Sequence, residues 1–283
     1  LTSSGVPTGT RKARAVAKPV NQLEKVIIRF AGDSGDGMQL TGDRFTHETA
    51  SFGNDLSTLP DFPAEIRAPA GTVHGVSAFQ LQFADHAIST PGDAADVLVA
   101  MNPAALRSNL HHVRRGGHLI VNSDEFTPRA VAKVGYETDP LTDDSLGSYV
   151  LHPVSLTTLT VEALKGFAIT KKEAQRAKNM FALGLLSWLY SRGTEGTRDF
   201  LKAKFGRKPE ILAANLAAFD AGWAYGETTE DFAVHYEVRP ATMAPGVYRN
   251  ITGNAALAYG LIAASELSGL PLFLGSYPIT PAS

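Results

Sequence analysis

The chain has 283 residues, 44% of them hydrophobic and 19% charged, with a formal net charge of -2 and no cysteine. Without cysteine it cannot by itself supply a disulfide, a thiolate nucleophile, a zinc-cysteine site or a cysteine-ligated iron-sulfur cluster, and the absence fits a cytoplasmic protein. The balanced charge gives no electrostatic footprint for nucleic acid or an anionic membrane, and no apolar run reaches the length of a membrane span. The length suits two domains, or one domain and part of another.

Residues 1–22 carry Arg11, Lys12, Arg14 and Lys18 with few large apolar side chains, so they read as a disordered tail. An acid-poor, Arg- and Ser-bearing start also suits a transit peptide, but no apolar h-region of a secretory signal is present. Val26, Ile27, Ile28 and Phe30 then form a run suited to a strand buried on both faces. Gly32, Gly35 and Gly37 make a turn, and Met38, Thr41, Phe45 and Phe52 recur at helical spacing until Gly53.

Strand, glycine turn and helix start together form a common seat for a phosphate or pyrophosphate, with Gly32, Ser34, Gly35 and Gly37 as the candidate contacts. The spacing is G-x-x-G-x-G rather than the dinucleotide G-x-G-x-x-G, and Asp33 and Asp36 place two carboxylates where an anion needs donors. Asp55 lies at the distance of a ribose-binding acid, without a clear strand before it. Two readings therefore stay open, a phosphate seat and a plain strand-to-helix turn.

Prolines and glycines across residues 59–75 predict a long irregular loop, in which Arg67 either pairs with Glu65 or meets a carboxylate or phosphate ligand. Phe79, Leu81 and Phe83 alternate with Gln80 and Gln82, which predicts a half-buried strand with its amides outward. Residues 96–102 read as a second buried strand. Pro103 starts a helix that runs to Gly116-Gly117, with His111, His112, Arg114 and Arg115 in its last turn. No metal site is predicted there, because adjacent histidines point to different faces.

Further strands are expected at residues 118–122 and 149–152. The pattern predicts an α/β fold with a doubly wound, mostly parallel sheet and a site at the carboxyl ends of its strands, where Gly32, Asn102 and Asn122 fall. Residues 171–192 read as one long helix with a broad Met and aromatic stripe. On that stripe Gly184 permits close approach of another helix, within the chain or from another subunit. Two more helices, at residues 197–205 and 209–228, close a domain spanning residues 23–229.

Residues 230–246 read as a linker. Residues 247–283 then hold a helix over 254–267, a strand over 272–275 and the loop Tyr277-Pro278-Ile279-Thr280-Pro281. One helix and one strand do not make a domain, so the remainder of a second domain is expected in a missing segment or in another chain.

From residue 25 to residue 283 the chain resembles the alpha subunits of 2-oxoacid:ferredoxin oxidoreductases in which a gamma domain precedes the thiamine pyrimidine-binding domain. Tyr277-Pro278-Ile279-Thr280-Pro281, preceded by Gly253-Asn254-Ala255-Ala256, is the most specific match. The glycine turn, Ala64-Glu65-Ile66-Arg67, Ala95-Asp96-Val97-Leu98-Val99 and Lys178-Asn179-Met180-Phe181-Ala182-Leu183-Gly184 support it.

That resemblance implies oxidative decarboxylation of a 2-oxoacid, most like 2-oxoglutarate, with coenzyme A as acyl acceptor. A beta subunit would hold the thiamine diphosphate, its Mg and the iron-sulfur cluster and pass electrons to ferredoxin, in an α2β2 assembly. It implies Thr280 as catalytic hydroxyl and substrate contact, Tyr277, Pro278, Ile279 and Pro281 as the wall by the thiamine ring, and coenzyme A near Gly32, Ser34, Gly35 and Gly37, with the cation for the second substrate carboxylate expected in the missing part or the partner; Arg67 stays a substrate-binding candidate on the reading of its own loop. The turn departs from the family, which has more glycine and a Gln where Asp36 stands. A non-catalytic nucleotide- or coenzyme A-binding scaffold is the competing reading.

Overall fold

The computed structural model describes residues 18–63, 68–249 and 251–277, which divide into two units, Leu1–Met243 and Ala244–Ser283. The first unit begins with β1 (Val20–Leu23), β2 (Lys25–Asp33), α1 (Met38–Phe52), β3 (Asp55–Asp61), β4 (Val76–Ala84) and β5 (Ala95–Ala100). It continues with α2 (Pro103–Asn109), β6 (Val113–Asn122), α3 (Pro128–Lys133), β7 (Val150–Val154), α4 (Leu156–Ala163) and α5 (Lys171–Arg176). It ends with α6 (Lys178–Leu189), α7 (Glu195–Phe205), α8 (Pro209–Thr228) and β8 (His235–Val238).

The six-stranded sheet has the order β3-β4-β2-β5-β6-β7. β2, β5, β6 and β7 pair in parallel, whereas β4 runs antiparallel to both β2 and β3. This is the mostly parallel α/β sheet expected from the sequence. Alternation along β5 sends Val97 and Val99 to one core and Leu98 and Ala100 to the other. The first core is the larger and holds the aromatic cluster of Phe30, Phe45, Phe83 and Tyr190, with ring centroids 5.9 to 6.2 Å apart. Each such ring contributes on the order of 2–3 kcal/mol by burial.

α6 and α8 form the tightest seam of this core. A Cβ on Gly184 would lie 2.0 Å from the Phe219 carbonyl oxygen, and one on Gly222 would lie 1.9 Å from that of Phe181. Reciprocal glycines bring the two backbones together, so the close approach at Gly184 is made within the chain.

Several expectations change. Residues 20–22, read as tail, belong to β1, which pairs in parallel with β8 in the segment read as linker; Val20 faces His235 and Leu23 faces Val238. β3 was not foreseen, and its Pro60 is accommodated because β3 is an edge strand. Gln80 and Gln82 are 2% and 7% exposed rather than outward, because β4 is covered on both faces. The Gln80 amide donates to the carbonyls of Pro91 and Gly92 at 2.9 and 2.7 Å, and its oxygen accepts from buried Arg29 at 3.3 Å.

The helix begun at Pro103 stops at Asn109, passes through a 3-10 turn over Leu110–His112, and gives way to β6. Arg114 and Arg115 therefore lie in a strand, where Gly116 adopts φ 74° beside a register shift against β5. The long helix over 171–192 is broken at Ala177 into α5 and α6, and Arg192 lies beyond it, fully buried. Arg192 donates to Asn54 Oδ1 at 2.6 Å and to the Val238 carbonyl at 3.3 Å, and packs over Phe52 and Phe83.

The second unit holds α9 (Gly253–Ser268), started by Thr252, whose hydroxyl accepts from Ala255 N at 3.2 Å, and stopped by Gly269 at φ 69°. The expected strand over 272–275 is exposed chain without regular structure, since no neighbouring strand is present among the described residues to pair with it.

Candidate functional site

The parallel strands bring the ends of β2, β5, β6 and β7 to one edge of the sheet. From β2 the chain passes through α1 to β3 and β4 on one side, then returns to β5 on the other, so the crevice between β2 and β5 is the switch point of the topology. The glycine turn follows β2 at this point, and Asn102 follows β5.

Inside the turn Asp36 N donates to the Asp33 carbonyl at 2.8 Å, and Asp33 N donates to Asp36 Oδ2 at 3.0 Å. Gly37 occupies the left-handed region at φ 75° and leads into α1, which has no side-chain cap. The amides of Ser34, Gly35 and Gly37 have no acceptor among the described residues. Gly32 is buried at the end of β2, whereas Ser34 and Gly35 are exposed. These donors at the start of a helix fit an anionic group such as a diphosphate.

The two carboxylates are each engaged, and neither caps α1. Lys178 Nζ lies 3.0 Å from Asp36 Oδ1 and 3.6 Å from Glu125 Oε1. Burial alone would depress Lys178, but Asp36 and Glu125 together override it and its pKa is raised. Asp33 Oδ2 accepts from Gly71 N at 2.9 Å, while its Oδ1 is buried without a hydrogen-bond partner. Burial raises the Asp33 pKa against the opposing Gly71 amide, with Asp36 raising it further and Asn102 and Lys178 lowering it.

The other polar residues of the edge are spent on structure. Asn102 Oδ1 accepts from Ala105 N at 2.8 Å and caps α2. Asn122 Nδ2 donates to Thr157 Oγ1 at 3.0 Å, and its Oδ1 accepts from Thr157 N at 3.4 Å, which ties β6 to α4. Lys178 was quoted only within a motif; no local signal marks it as the counter-ion of Asp36, because the two lie on elements far apart in the chain.

Of the other predicted site residues, Arg67, Pro278, Ile279, Thr280 and Pro281 lie outside the described residues. Tyr277 lies in the second unit and is 83% exposed.

Elsewhere, β6 and β7 place His118 Nδ1 2.9 Å from His152 Nε2, with the rings stacked at 10°. Phe232 stacks on His152 at 4.5 Å, and Tyr236 meets His118 edge-on. Burial, then His118, depresses the His152 pKa to about 4 against a smaller opposing effect of Asp231. Burial and Arg114 lower His118, opposed by Asp96. A hydrogen bond between two ring nitrogens requires one donor and one lone pair, so at most one of the two rings can carry a second proton while it is made.

The sheet, its switch-point turn and the helices around them define the class. The chain belongs to the pyruvate ferredoxin/flavodoxin oxidoreductase family, whose model matches residues 27–225. It is 61% identical over 281 residues to the 2-oxoglutarate oxidoreductase subunit KorA of Mycobacterium tuberculosis, a match covering 99% of this chain and 43% of that protein. It is 22% identical to the alpha subunit of 2-oxoacid:ferredoxin oxidoreductase 1 of Aeropyrum pernix, covering 91% of this chain and 42% of that one.

Among solved structures it resembles the 2-oxoglutarate:ferredoxin oxidoreductase of Magnetococcus marinus, determined with 2-oxoglutarate, coenzyme A and succinyl-CoA bound. The TM-score is 0.67 and the identity 29%, covering 92% of this chain and 40% of that one. The chain thus spans roughly two fifths of the length of the relatives it matches. No helix among the described residues is long and apolar enough to cross a membrane.

Proposed function

We propose that this chain forms part of the alpha subunit of a thiamine-dependent 2-oxoglutarate:ferredoxin oxidoreductase. The reaction takes 2-oxoglutarate and coenzyme A to succinyl-CoA and carbon dioxide, with two electrons passing singly to ferredoxin. The observation that carries this reading is the 61% identity to the mycobacterial 2-oxoglutarate oxidoreductase subunit over 99% of the chain.

In this reading the first unit is the gamma-type domain, and the second begins the thiamine pyrimidine-binding domain. A beta subunit holds thiamine diphosphate with Mg and the iron-sulfur cluster, consistent with a chain that has no cysteine. The working assembly is α2β2 in the cytoplasm. Thiamine diphosphate supplies the carbanion chemistry of decarboxylation when bound.

The chain's own residues bind and orient. The free amides of Ser34, Gly35 and Gly37, behind Gly32, would take the coenzyme A diphosphate, with Lys178 offsetting the carboxylate of Asp36. Arg67 would meet a substrate carboxylate. Thr280 would donate its hydroxyl to the substrate, framed by Tyr277, Pro278, Ile279 and Pro281, a preorganised donor suited to an oxygen that gains charge.

The test is co-purification of the full-length protein with its beta partner, followed by reduction of a one-electron dye. Reduction that requires 2-oxoglutarate, thiamine diphosphate and coenzyme A together is expected. Turnover with pyruvate but not 2-oxoglutarate, or without coenzyme A, overturns the substrate or acceptor assigned here.

A further inference from the structure

The formal net charge of the chain is -2, yet its charges are not evenly spread. α5 and the turn between α7 and α8 adjoin, since Glu173 and Arg176 border the same hollow as Phe205 and Lys208. Residues 171–176 and 204–208 carry six exposed cations, Lys171, Lys172, Arg176, Lys204, Arg207 and Lys208, against one acid. That acid is Glu173, whose Oε2 accepts from Thr170 N and Oγ1 at 2.8 and 2.7 Å. Those bonds, then Lys208 and Arg176, hold its pKa below the usual carboxylate value. Glu173 thus offsets Arg176 and Lys208 in part, whereas Lys171, Lys172 and Arg207 form no ion pair among the described residues.

Most of these cations do not serve the fold. Lys171 and Lys172 stand in the first turn of α5, and Arg207 and Lys208 lead into α8, both at helix ends whose dipole favours acids. Lys204 Nζ lies 5.2 and 5.6 Å from the ring centroids of Phe200 and Phe205, with no carboxylate partner among the described residues. A cluster of like charges that costs stability where it stands points to something outside the chain.

No large apolar side chain from α4 to α8 is exposed among the described residues. Permanent subunit contacts bury an apolar core from which lysine is depleted, so this face suits neither an obligate subunit nor a second copy. Exposed, unpaired cations suit a brief, charge-steered encounter with an acidic protein. A nucleic acid fits less well. A long polyanion also meets the excess acid on the rest of the chain, whereas a small protein responds to charges within a screening length of about 8 Å. In the reaction proposed above, the partner that must arrive and leave at every turnover is the protein that takes the electrons. We propose that the basic face of α5 and the α7–α8 turn is the docking surface for an acidic electron-carrier protein. The identity of the partner rests on the oxidoreductase reading; the face itself does not.

The test uses the full-length protein with its beta partner, an acidic ferredoxin and a small one-electron dye. In K171E/K172E/R207E the KM for ferredoxin should rise roughly tenfold or more, while the dye rate and the KM for 2-oxoglutarate stay unchanged. Added salt should lower kcat/KM for ferredoxin steeply in the wild type and little in the variant. Titration of oxidised ferredoxin into the assembly needs no turnover and should show the same loss. If no 2-oxoacid reduces the dye while that loss persists, the enzymatic reading fails and the docking face stands. Ferredoxin affinity and KM within about twofold of wild type in the variant, or a dye rate that falls as far as the ferredoxin rate, overturn the proposal. So does a DNA duplex bound more tightly than ferredoxin at about 0.15 M salt.

Discussion

The α6–α8 seam and the carboxyl edge of the sheet lie in the same unit, yet they are held by opposite means. At the seam two glycines let one backbone rest against another, and nothing larger than hydrogen fits. At the edge Lys178, Asp36, Glu125 and Asp33 hold one another in partial burial, where every charge depends on a neighbour. A steric contact of the first kind admits no substitute, whereas an electrostatic one of the second kind can be altered in pairs. That contrast ranks the perturbations.

Gly222→Val should be the most damaging. Its first side-chain carbon falls 1.9 Å from the Phe181 carbonyl oxygen, so the helices must part. A loss of more than about 3 kcal/mol is expected, read as failure to accumulate folded protein or as a large drop in the denaturant midpoint. A melting curve close to wild type would show that the seam is not as tight as described.

Lys178→Met should cost about 2–3 kcal/mol, because it leaves the largely buried Asp36 carboxylate without its counter-ion, whereas the exposed Glu125 is screened by solvent. The double variant K178M/D36N should recover part of that loss in a double-mutant cycle. Strictly additive costs would mean that the pair does not interact.

The histidine pair predicts a pH effect of similar or smaller size. The folded-state pKa of His152, about 4, lies below its ordinary value of 6.5, so the unfolded chain binds the extra proton first as the solution is acidified. Stability should fall by about 2 kcal/mol from neutral pH down toward pH 4, part of which His152→Phe should abolish. Urea unfolding at several pH values measures it, and an unchanged slope in the variant would remove the pair as the cause.

Gly35→Val should have the smallest effect on folding. Its φ is not in the left-handed region, and no atom lies within 4 Å of an added Cβ. Stability should hold within about 0.5 kcal/mol in thermal melts, with any change confined to ligand binding.

The same contrast explains what the sequence disclosed. The strand cores, the turn, Gly53 as a helix stop and Gly184 as a point of close approach were legible, because hydrophobic periodicity and glycine act locally. β1 and β3 were not, since a short strand beside its partner looks like tail or loop until the partner is placed. The glutamines of β4 were read outward because alternation normally means one wet face, yet Arg29 and the carbonyls of Pro91 and Gly92 made burial affordable for Gln80. Lys178 and the histidine pair depend on residues brought together only by the fold, and no spacing announces them.

The parallel ladder in which Val20 faces His235 has a wider consequence. It brings the entry and the exit of the larger unit to one place on its surface, so the unit is closed at its own base. A module whose two ends meet can be cut free, carried as an independent polypeptide or joined ahead of another domain without reworking its interior.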